Sequence, residues 1–228
     1  MTNTSHLGMK KRILGIIVAV AALAMATPAS GQKKLDFVFI EGLNFSQLIG
    51  IDNTSANLGV FSGLDLTYHF NENWGINAGF GYSEQGTRCN ASGLMPMMDY
   101  NYTYVNFPVM ATYTLPKYNL SVLGGVQFGN FVGATYNYYS TPSINNPNGT
   151  VEGSGRFDKE SFHPWDFGVT LSARWIFWPS MGIGVETRYT MGITQTHNGI
   201  STTANGNQYI SVPDNRNSTF TFAFIFLK

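Results

Sequence analysis

The sequence predicts an all-β fold class: an eight-stranded antiparallel up-and-down transmembrane β-barrel with short turns at one end and long loops at the other. Apolar and polar residues alternate in the predicted segments, and a period of two is the period of a β-strand. Several segments keep this alternation for about 12 residues, whereas an average strand has ~5–6 and a strand that crosses a bilayer needs ~9–11. The connections are alternately short and long, which is typical of membrane barrels.

The N-terminus has the pattern of a secretory signal peptide. Three basic residues at positions 10–12 precede an apolar run from Ile13 to Ala26, and small residues follow at a suitable distance for cleavage. We therefore expect a signal peptide over residues 1–31 and a barrel domain over residues 32–228. A membrane-anchor helix is the alternative, but the run is short for a span of ~20 residues.

Composition excludes several classes of protein. The chain of 228 residues is 11% charged and 14% aromatic, and its formal net charge is zero, so nothing indicates nucleic acid as a partner. Cys89 is the only cysteine, which excludes a small domain held together by intramolecular disulfides. Low charge and many aromatic residues suit a barrel whose outer surface meets lipid.

The alternation predicts the limits of each strand. The strands are residues 35–47, 58–70, 74–83, 100–115, 119–138, 165–177 and 181–193, and a last strand in which Phe220, Phe222, Phe224 and Phe226 alternate. Tight turns are predicted at residues 71–73, 116–118 and 179–180, and long loops at residues 49–57, 87–99, 139–161 and 194–215. An even number of strands places both termini at the short-turn end.

Three of the predicted strands carry features that need an explanation. Glu41 interrupts the outward face of the first strand, which is otherwise apolar. Pro108 in the fourth strand has no N–H for the ladder, so it requires a bulge or a position where no donor is needed. Near its end, the fifth strand is expected to turn Tyr136 and Tyr138 outward.

The inward face of the strands predicts a filled lumen that contains charges. Asp65, Asp166, Arg174, Glu186 and Arg188 all fall on inward positions. Because an unpaired enclosed charge costs several kcal/mol, we expect these residues to form one lumen charge network. Eight strands leave a space that side chains fill, and inward glycines make room for bulky neighbours. The alternative is an ion path, since narrow pores use charged side chains for selectivity.

Catalysis is a rival class of function. The candidate residues of an enzyme at the rim of the barrel are His163, His197, Asp99, Asp158 and Ser161. Catalytic groups must lie within hydrogen-bond reach of one another, and no recognised motif joins these five. The two histidines also lack the spacing of a zinc site. We therefore predict no enzymatic activity, no cofactor and no metal site.

The loops predict a surface suited to recognition. Aromatic and methionine side chains occur there among Asn, Ser, Thr and Gly, a mixture found in many binding surfaces. They include Tyr136, Tyr138, Tyr139, Met95, Met97 and Met98. Tyrosines at the rim of a barrel more often form the aromatic girdle at the membrane interface, so a structural role is the alternative. The expected partners are therefore membrane lipid and, for a recognition surface, an extracellular ligand.

Four short motifs resemble those of the PorT-like outer-membrane β-barrel proteins of Gram-negative bacteria. They are Gly42 to Ser46, Gly81 to Gly86, Tyr104 to Pro108, and Glu186 to Tyr189. Asn106 stands where the Tyr-x-Glu-x-Pro form of the third motif has an acidic residue. The resemblance extends over nearly the whole chain after the signal peptide.

This resemblance implies an integral protein of the outer membrane, with both termini periplasmic and a structural or surface-binding role. Some members of the family are accessory components of type IX protein secretion, so that role and proteins of the secretion machinery as partners are one alternative. A narrow channel for ions or small solutes is another.

Overall fold

The computed structural model describes residues 35–50, 53–90, 97–140, 151–157, 162–196, 202–204, 207–209 and 215–228. The strands are β1 (Leu35–Ile49), β2 (Thr54–His69), β3 (Trp74–Cys89), β4 (Met97–Leu115), β5 (Leu120–Ser140), β6 (Val151–Arg156), β7 (Trp165–Trp178), β8 (Ile183–Gly192), β9 (Thr202–Ala204), β10 (Asn207–Tyr209) and β11 (Arg216–Leu227). A 3-10 helix, Pro116–Tyr118, joins β4 to β5. The predicted signal peptide lies outside the described residues.

Eight strands close into a barrel. They follow the order β4-β3-β2-β1-β11-β8-β7-β5, every neighbouring pair is antiparallel, and β5 pairs with β4 to complete the ring. This arrangement confirms the predicted fold class. Closure gives every strand two neighbours, which a β-structure in lipid needs because unpaired backbone groups there are costly. No helix in the described part of the chain is long and apolar enough to span a membrane.

The outer surface of the barrel is apolar, as the alternation predicted. The four phenylalanines of β11 point outward, and Phe224 is 55% exposed. Two strands further around the barrel, Leu171 of β7 is 60% exposed. Trp74 packs on Tyr113 at a ring-centroid distance of 4.8 Å near one edge of this apolar belt. Aromatic residues at the edge and aliphatic residues between are the arrangement expected where a barrel contacts lipid.

The three tight turns and the last residue of the chain lie at one end of the barrel, here called the short-turn end. In the first turn, the Asn71 side-chain oxygen accepts hydrogen bonds from the N–H groups of Asn73 and Trp74. Asn119 after the 3-10 helix and Gly182 after β7 have positive φ angles of 50° and 68°. Asn and Gly tolerate this conformation better than other residues.

At the other end, called the loop end, the strands are longer than predicted. β1 and β2 are joined by residues 50–53 instead of a loop over 49–57, so the prediction of a long first loop is wrong. β3 continues to Cys89, and β6 lies within the predicted loop 139–161, paired with the end of β5. Side-chain bonds support these polar segments: Gln47 Nε2, for example, donates to Thr54 Oγ1 at 2.9 Å.

A bulge in β5 reverses the direction of its last side chains. Tyr104 pairs with Phe131 and Thr103 with Gly133, so the intervening Val132 has no partner on β4. Beyond it, Tyr136 lies on the same side as buried Ala134 and packs on Phe157 at 4.8 Å. The prediction that Tyr136 and Tyr138 face outward is therefore wrong, because one extra residue shifts the alternation.

Pro108 sits in the barrel wall without a bulge. The β3–β4 pairing stops after Ala78↔Val109 and resumes at Gly81↔Asn106 in the same register. Between these pairs Pro108 faces Gly79, and no ladder bond is needed from the missing N–H. The sequence predicted either a bulge or a position where no N–H donor is needed, and the structure shows the second arrangement.

Candidate functional site: the charged lumen and its two ends

Four of the five predicted lumen charges meet in the middle of the barrel. Asp65 comes from β2, Arg174 from β7, and Glu186 and Arg188 from β8. The alternation of each strand points them inward, and each is at most 5% exposed. We call Asp65, Arg174, Glu186 and Arg188 the lumen quartet.

Each arginine of the quartet contacts both carboxylates. Arg174 donates to Glu186 Oε2 at 2.7 and 2.8 Å and to Asp65 Oδ2 at 2.9 Å. Arg188 donates to Glu186 Oε1 at 2.7 and 2.9 Å and to Asp65 Oδ2 at 2.9 Å. The two positive and two negative charges cancel, which a buried set of ions requires.

Glycines on the neighbouring strand provide the space for this cluster. A Cβ atom on Gly79 would overlap the Asp65 carboxylate, and one on Gly81 would lie 2.9 Å from the Phe61 ring. That ring lies under the guanidinium of Arg188, with 5.5 Å between the guanidinium carbon and the ring centroid. The small residues of β3 thus allow a charged and aromatic plug to fill the lumen.

Asp166, the fifth predicted charge, lies apart from the quartet. Its carboxylate accepts hydrogen bonds from Thr194 Oγ1 at 2.8 Å and Asn217 Nδ2 at 3.1 Å. Asn217 also donates to the buried Tyr104 hydroxyl at 3.4 Å. Asp166 therefore belongs to a polar layer nearer the loop end. β7 begins at the loop end, and Asp166 is its second residue, well before Arg174.

Between the quartet and the short-turn end lies a cavity of about 420 Å³ with both polar and apolar walls. Arg174 forms part of its wall, together with Thr67, Thr112, Thr114 and Ser121. His69 Nε2 and Asp36 Oδ2 are 2.8 Å apart in the same wall, and both side chains are partly exposed. Water entering from the short-turn end therefore passes these groups and reaches Arg174 of the quartet.

An aromatic cluster fills the barrel between the quartet and the loop end. Phe131 stacks on Phe162 at 4.5 Å, and Tyr104 and Tyr102 pack against these rings at 5.6 and 5.5 Å. Their buried neighbours in the cluster are Leu48 and Ala134. Phe162, which precedes β7, therefore lies inside the barrel mouth. The lumen is closed at this level as well as at the quartet.

The predicted rim residues do not form a catalytic group in the described part of the chain. Asp99 accepts hydrogen bonds from Arg88 at 2.6 and 3.2 Å, and the backbone N–H of His163 donates to Thr196 O. His197, Asp158 and Ser161 lie outside the described residues. Among the residues that are described, no three His, Cys, Asp or Glu side chains are grouped as metal ligands.

Sequence reasoning missed a buried polar connection between β1 and β3. Asn44 Nδ2 donates to Ser83 Oγ and to Glu84 O at 2.9 Å, and Ser46 Oγ accepts from Gly86 N at 2.7 Å. The signal was present, because Asn44 and Ser46 are polar residues that follow the apolar Val38 and Ile40 on the inward positions of β1. The sequence alone did not indicate which strand they would contact.

The barrel matches a known family of bacterial envelope proteins. A family model described as the outer membrane protein β-barrel domain matches residues 30–198. The chain belongs to this family. It is therefore an outer-membrane β-barrel protein, while the narrower PorT-like assignment stays a prediction.

Two solved structures are similar to the chain at low sequence identity. One is Ail, the attachment invasion locus protein of Yersinia pestis, in complex with the heparin analogue sucrose octasulfate; it is 13% identical, with 86% of this chain and 100% of Ail covered and a TM-score of 0.45. Another is OprG from Pseudomonas aeruginosa, 11% identical, with 87% of this chain and 98% of OprG covered and a TM-score of 0.42. No curated protein matches the sequence.

Proposed function

We propose that this outer-membrane barrel is a closed scaffold that holds an extended β-surface for binding outside the cell, without catalysis. The supporting observation is a combination of two features. The lumen is closed at two levels, and part of the barrel wall continues past the lipid-facing belt at the loop end. A barrel with a closed lumen does not transport solutes, so its function depends on its outer surface.

The closure argues against free passage of solutes. The quartet is neutral and fully enclosed, so opening it requires separating buried ion pairs, which costs several kcal/mol. The aromatic cluster around Phe131 and Phe162 adds a second, apolar barrier. A solute would have to displace both layers at the same time.

The extension at the loop end supplies the binding surface. β4 has 19 residues and β5 has 21, more than the ~9–11 needed to cross a bilayer, and β6 adds a further strand. The outermost β4–β5 pairs are Met97↔Tyr139, Met98↔Tyr138 and Asp99↔Asn137. This mixture of methionine, tyrosine and asparagine resembles recognition surfaces, and a paired sheet holds it in one conformation.

A narrow channel is the second candidate, because the cavity leads from the short-turn end to Arg174. The two functions differ in planar bilayers. The scaffold should show no discrete conductance, whereas a channel should conduct and respond to Arg174→Ala. Discrete conductance by the purified wild-type protein would overturn the closed scaffold.

Binding itself is tested on cells that display the protein. We expect attachment to an immobilised panel of matrix proteins and sulfated glycans, with the double variant Met97→Ala/Tyr139→Ala losing most of it. Lys117→Ala, at the short-turn end, is the matched control and should bind as the wild type does. Heat-dependent migration on gels verifies that each variant folds. Equal attachment by both variants would exclude this part of the sheet as the binding surface.

The orientation belongs to the same proposal, with the short turns and both termini in the periplasm. In a Cys89→Ser background, Asn53→Cys should react with a membrane-impermeant maleimide on intact cells. Lys117→Cys should react only after the outer membrane is permeabilised, and the reverse pattern would invert the topology. The type IX secretion role rests on the PorT-like motifs alone. It predicts that exported proteins accumulate in the periplasm when the gene is deleted.

A further inference from the structure

A carboxyl group lies on the lipid-facing side of the barrel near the middle of the apolar belt. The outward residues of β1 from Leu35 to Phe45 are apolar apart from Glu41, which stands between Phe39 and Leu43. Across the neighbouring strands, Glu41 faces Ser62 of β2 and Phe224 of β11. Carboxylates in membrane spans usually face a protein interior, and one at this depth indicates a functional contact.

Glu41 has only a partial set of protein partners. Ser62 Oγ donates to Glu41 Oε1 at 2.6 Å, and the carboxyl group is half-buried among its neighbours. Within the residues that the structure describes, Glu41 Oε2 accepts no hydrogen bond. Lipid tails offer none, so a polar group from another membrane-embedded molecule at the same depth would complete the site.

A second copy of this chain fits that requirement. Two copies in one bilayer lie at the same depth, so a two-fold axis along the membrane normal brings identical residues together. Two arginines occupy outward positions of the described barrel strands, Arg88 of β3 and Arg216 of β11, and both lie at the loop end. A copy therefore offers no cation at the depth of Glu41. It does offer its own Glu41 and Ser62: a protonated Glu41 donates its carboxyl O–H, and the Ser62 oxygen, whose own proton goes to Glu41 Oε1, accepts.

The surroundings of this pair favour close approach. Leu43 and Phe224 flank it with exposed apolar side chains, and the adjoining phenylalanines of β11 extend the same face. Such a face packs on its own copy by van der Waals contact, with the central polar pair fixing the register. We propose that the wall formed by β11, β1 and β2 binds a second copy of the protein through reciprocal Glu41 and Ser62 hydrogen bonds.

Dimerisation is measured on the purified full-length mature protein in lipid vesicles, by energy transfer at increasing dilution in lipid. Hydrogen bonds between membrane segments contribute ~1–2 kcal/mol, so Glu41→Leu should weaken the dimer about tenfold. Glu41→Gln keeps a donor and an acceptor and should retain most of the dimer. Ser62→Ala gives a second, milder variant, and gel migration verifies folding of all three.

Cross-linking locates the interface. In a Cys89→Ser background, Leu43→Cys should form a disulfide dimer on mild oxidation, because it lies beside the proposed axis. Leu171→Cys is the matched control, since it is 60% exposed on β7, three strands away from β1 around the barrel. A monomer at every protein-to-lipid ratio, unchanged dimerisation of Glu41→Leu, or equal cross-linking of both cysteines would each overturn the proposal. The proposal would also be overturned if the wild-type protein bound a different barrel protein through this wall and did not bind a second copy of itself.

Discussion

Replacing Glu186 with glutamine is the strongest test of the lumen quartet. Glu186 is 1% exposed, and its two oxygens accept separately, Oε2 from Arg174 and Oε1 from Arg188. Glutamine has nearly the same shape but one of its two polar ends is a donor, so one arginine loses its bonds to this residue. The buried set also acquires a net positive charge, and breaking a buried ion pair in this way costs about 3–5 kcal/mol.

The loss of stability is measured by urea unfolding in lipid vesicles, followed by tryptophan fluorescence. Glu72→Gln is the control, because Glu72 is exposed in a turn and should change the free energy of unfolding by less than about 0.5 kcal/mol. Adding Arg174→Met to Glu186→Gln restores neutrality, so the double variant should be more stable than the sum of its single effects predicts, by about 0.5–3 kcal/mol. Additive effects, or a Glu186→Gln cost no larger than that of the control, would refute the reasoning.

Three further predictions concern other layers of the barrel. Gly79→Ala should lower the free energy of unfolding by about 1–3 kcal/mol, since the methyl group overlaps the Asp65 carboxylate, whereas Gly133→Ala meets nothing within 4 Å and should be nearly neutral in the same urea assay. Phe162→Ala should leave the barrel folded on gels but make the loop end more sensitive to added protease, because this ring anchors the β6–β7 connection. Burial, and then the Asp99 carboxylate, raise the pKa of the Cys89 thiol to about 11, so alkylation should be slow at pH 8 and should accelerate up to about pH 11; a plateau near pH 9 would contradict this.

The barrel architecture was predictable because its cause is local and repeated. Side chains alternate between the two faces of a strand, so the residues around Phe222 indicate that it points outward and those around Arg174 that it points inward. The same rule placed Asp65, Glu186 and Arg188 inward before any pairing was known. Enclosed charges of opposite sign must find one another in a narrow lumen, which made their proximity a reasonable expectation.

What the sequence did not reveal is register. One unpaired residue, Val132, is enough to turn Tyr136 from the outside to the inside, and nothing in its chemistry distinguishes it from the other valines of β5. Asp166 lies apart from the quartet for a similar reason. The alternation predicts that its side chain points inward, but it does not predict its height along the barrel axis. Height depends on which residues face each other across strands, and this is decided by contacts distant in the sequence.

The buried link between β1 and β3 shows what two of the short sequence motifs, Gly42 to Ser46 and Gly81 to Gly86, do physically. β2 and β3 lose their pairing between Ala56 and Phe61, where the register shifts, and this leaves β3 backbone groups without ladder partners from β2. Asn44 supplies a donor for Glu84 O, and Ser46 supplies an acceptor for Gly86 N. Side chains of the first motif on β1 therefore hydrogen-bond to backbone groups of the second motif on β3, where the β2–β3 ladder is interrupted. Residues selected for this role specify how the barrel wall is built, which explains why such motifs identify the fold well and leave the activity to the surfaces outside them.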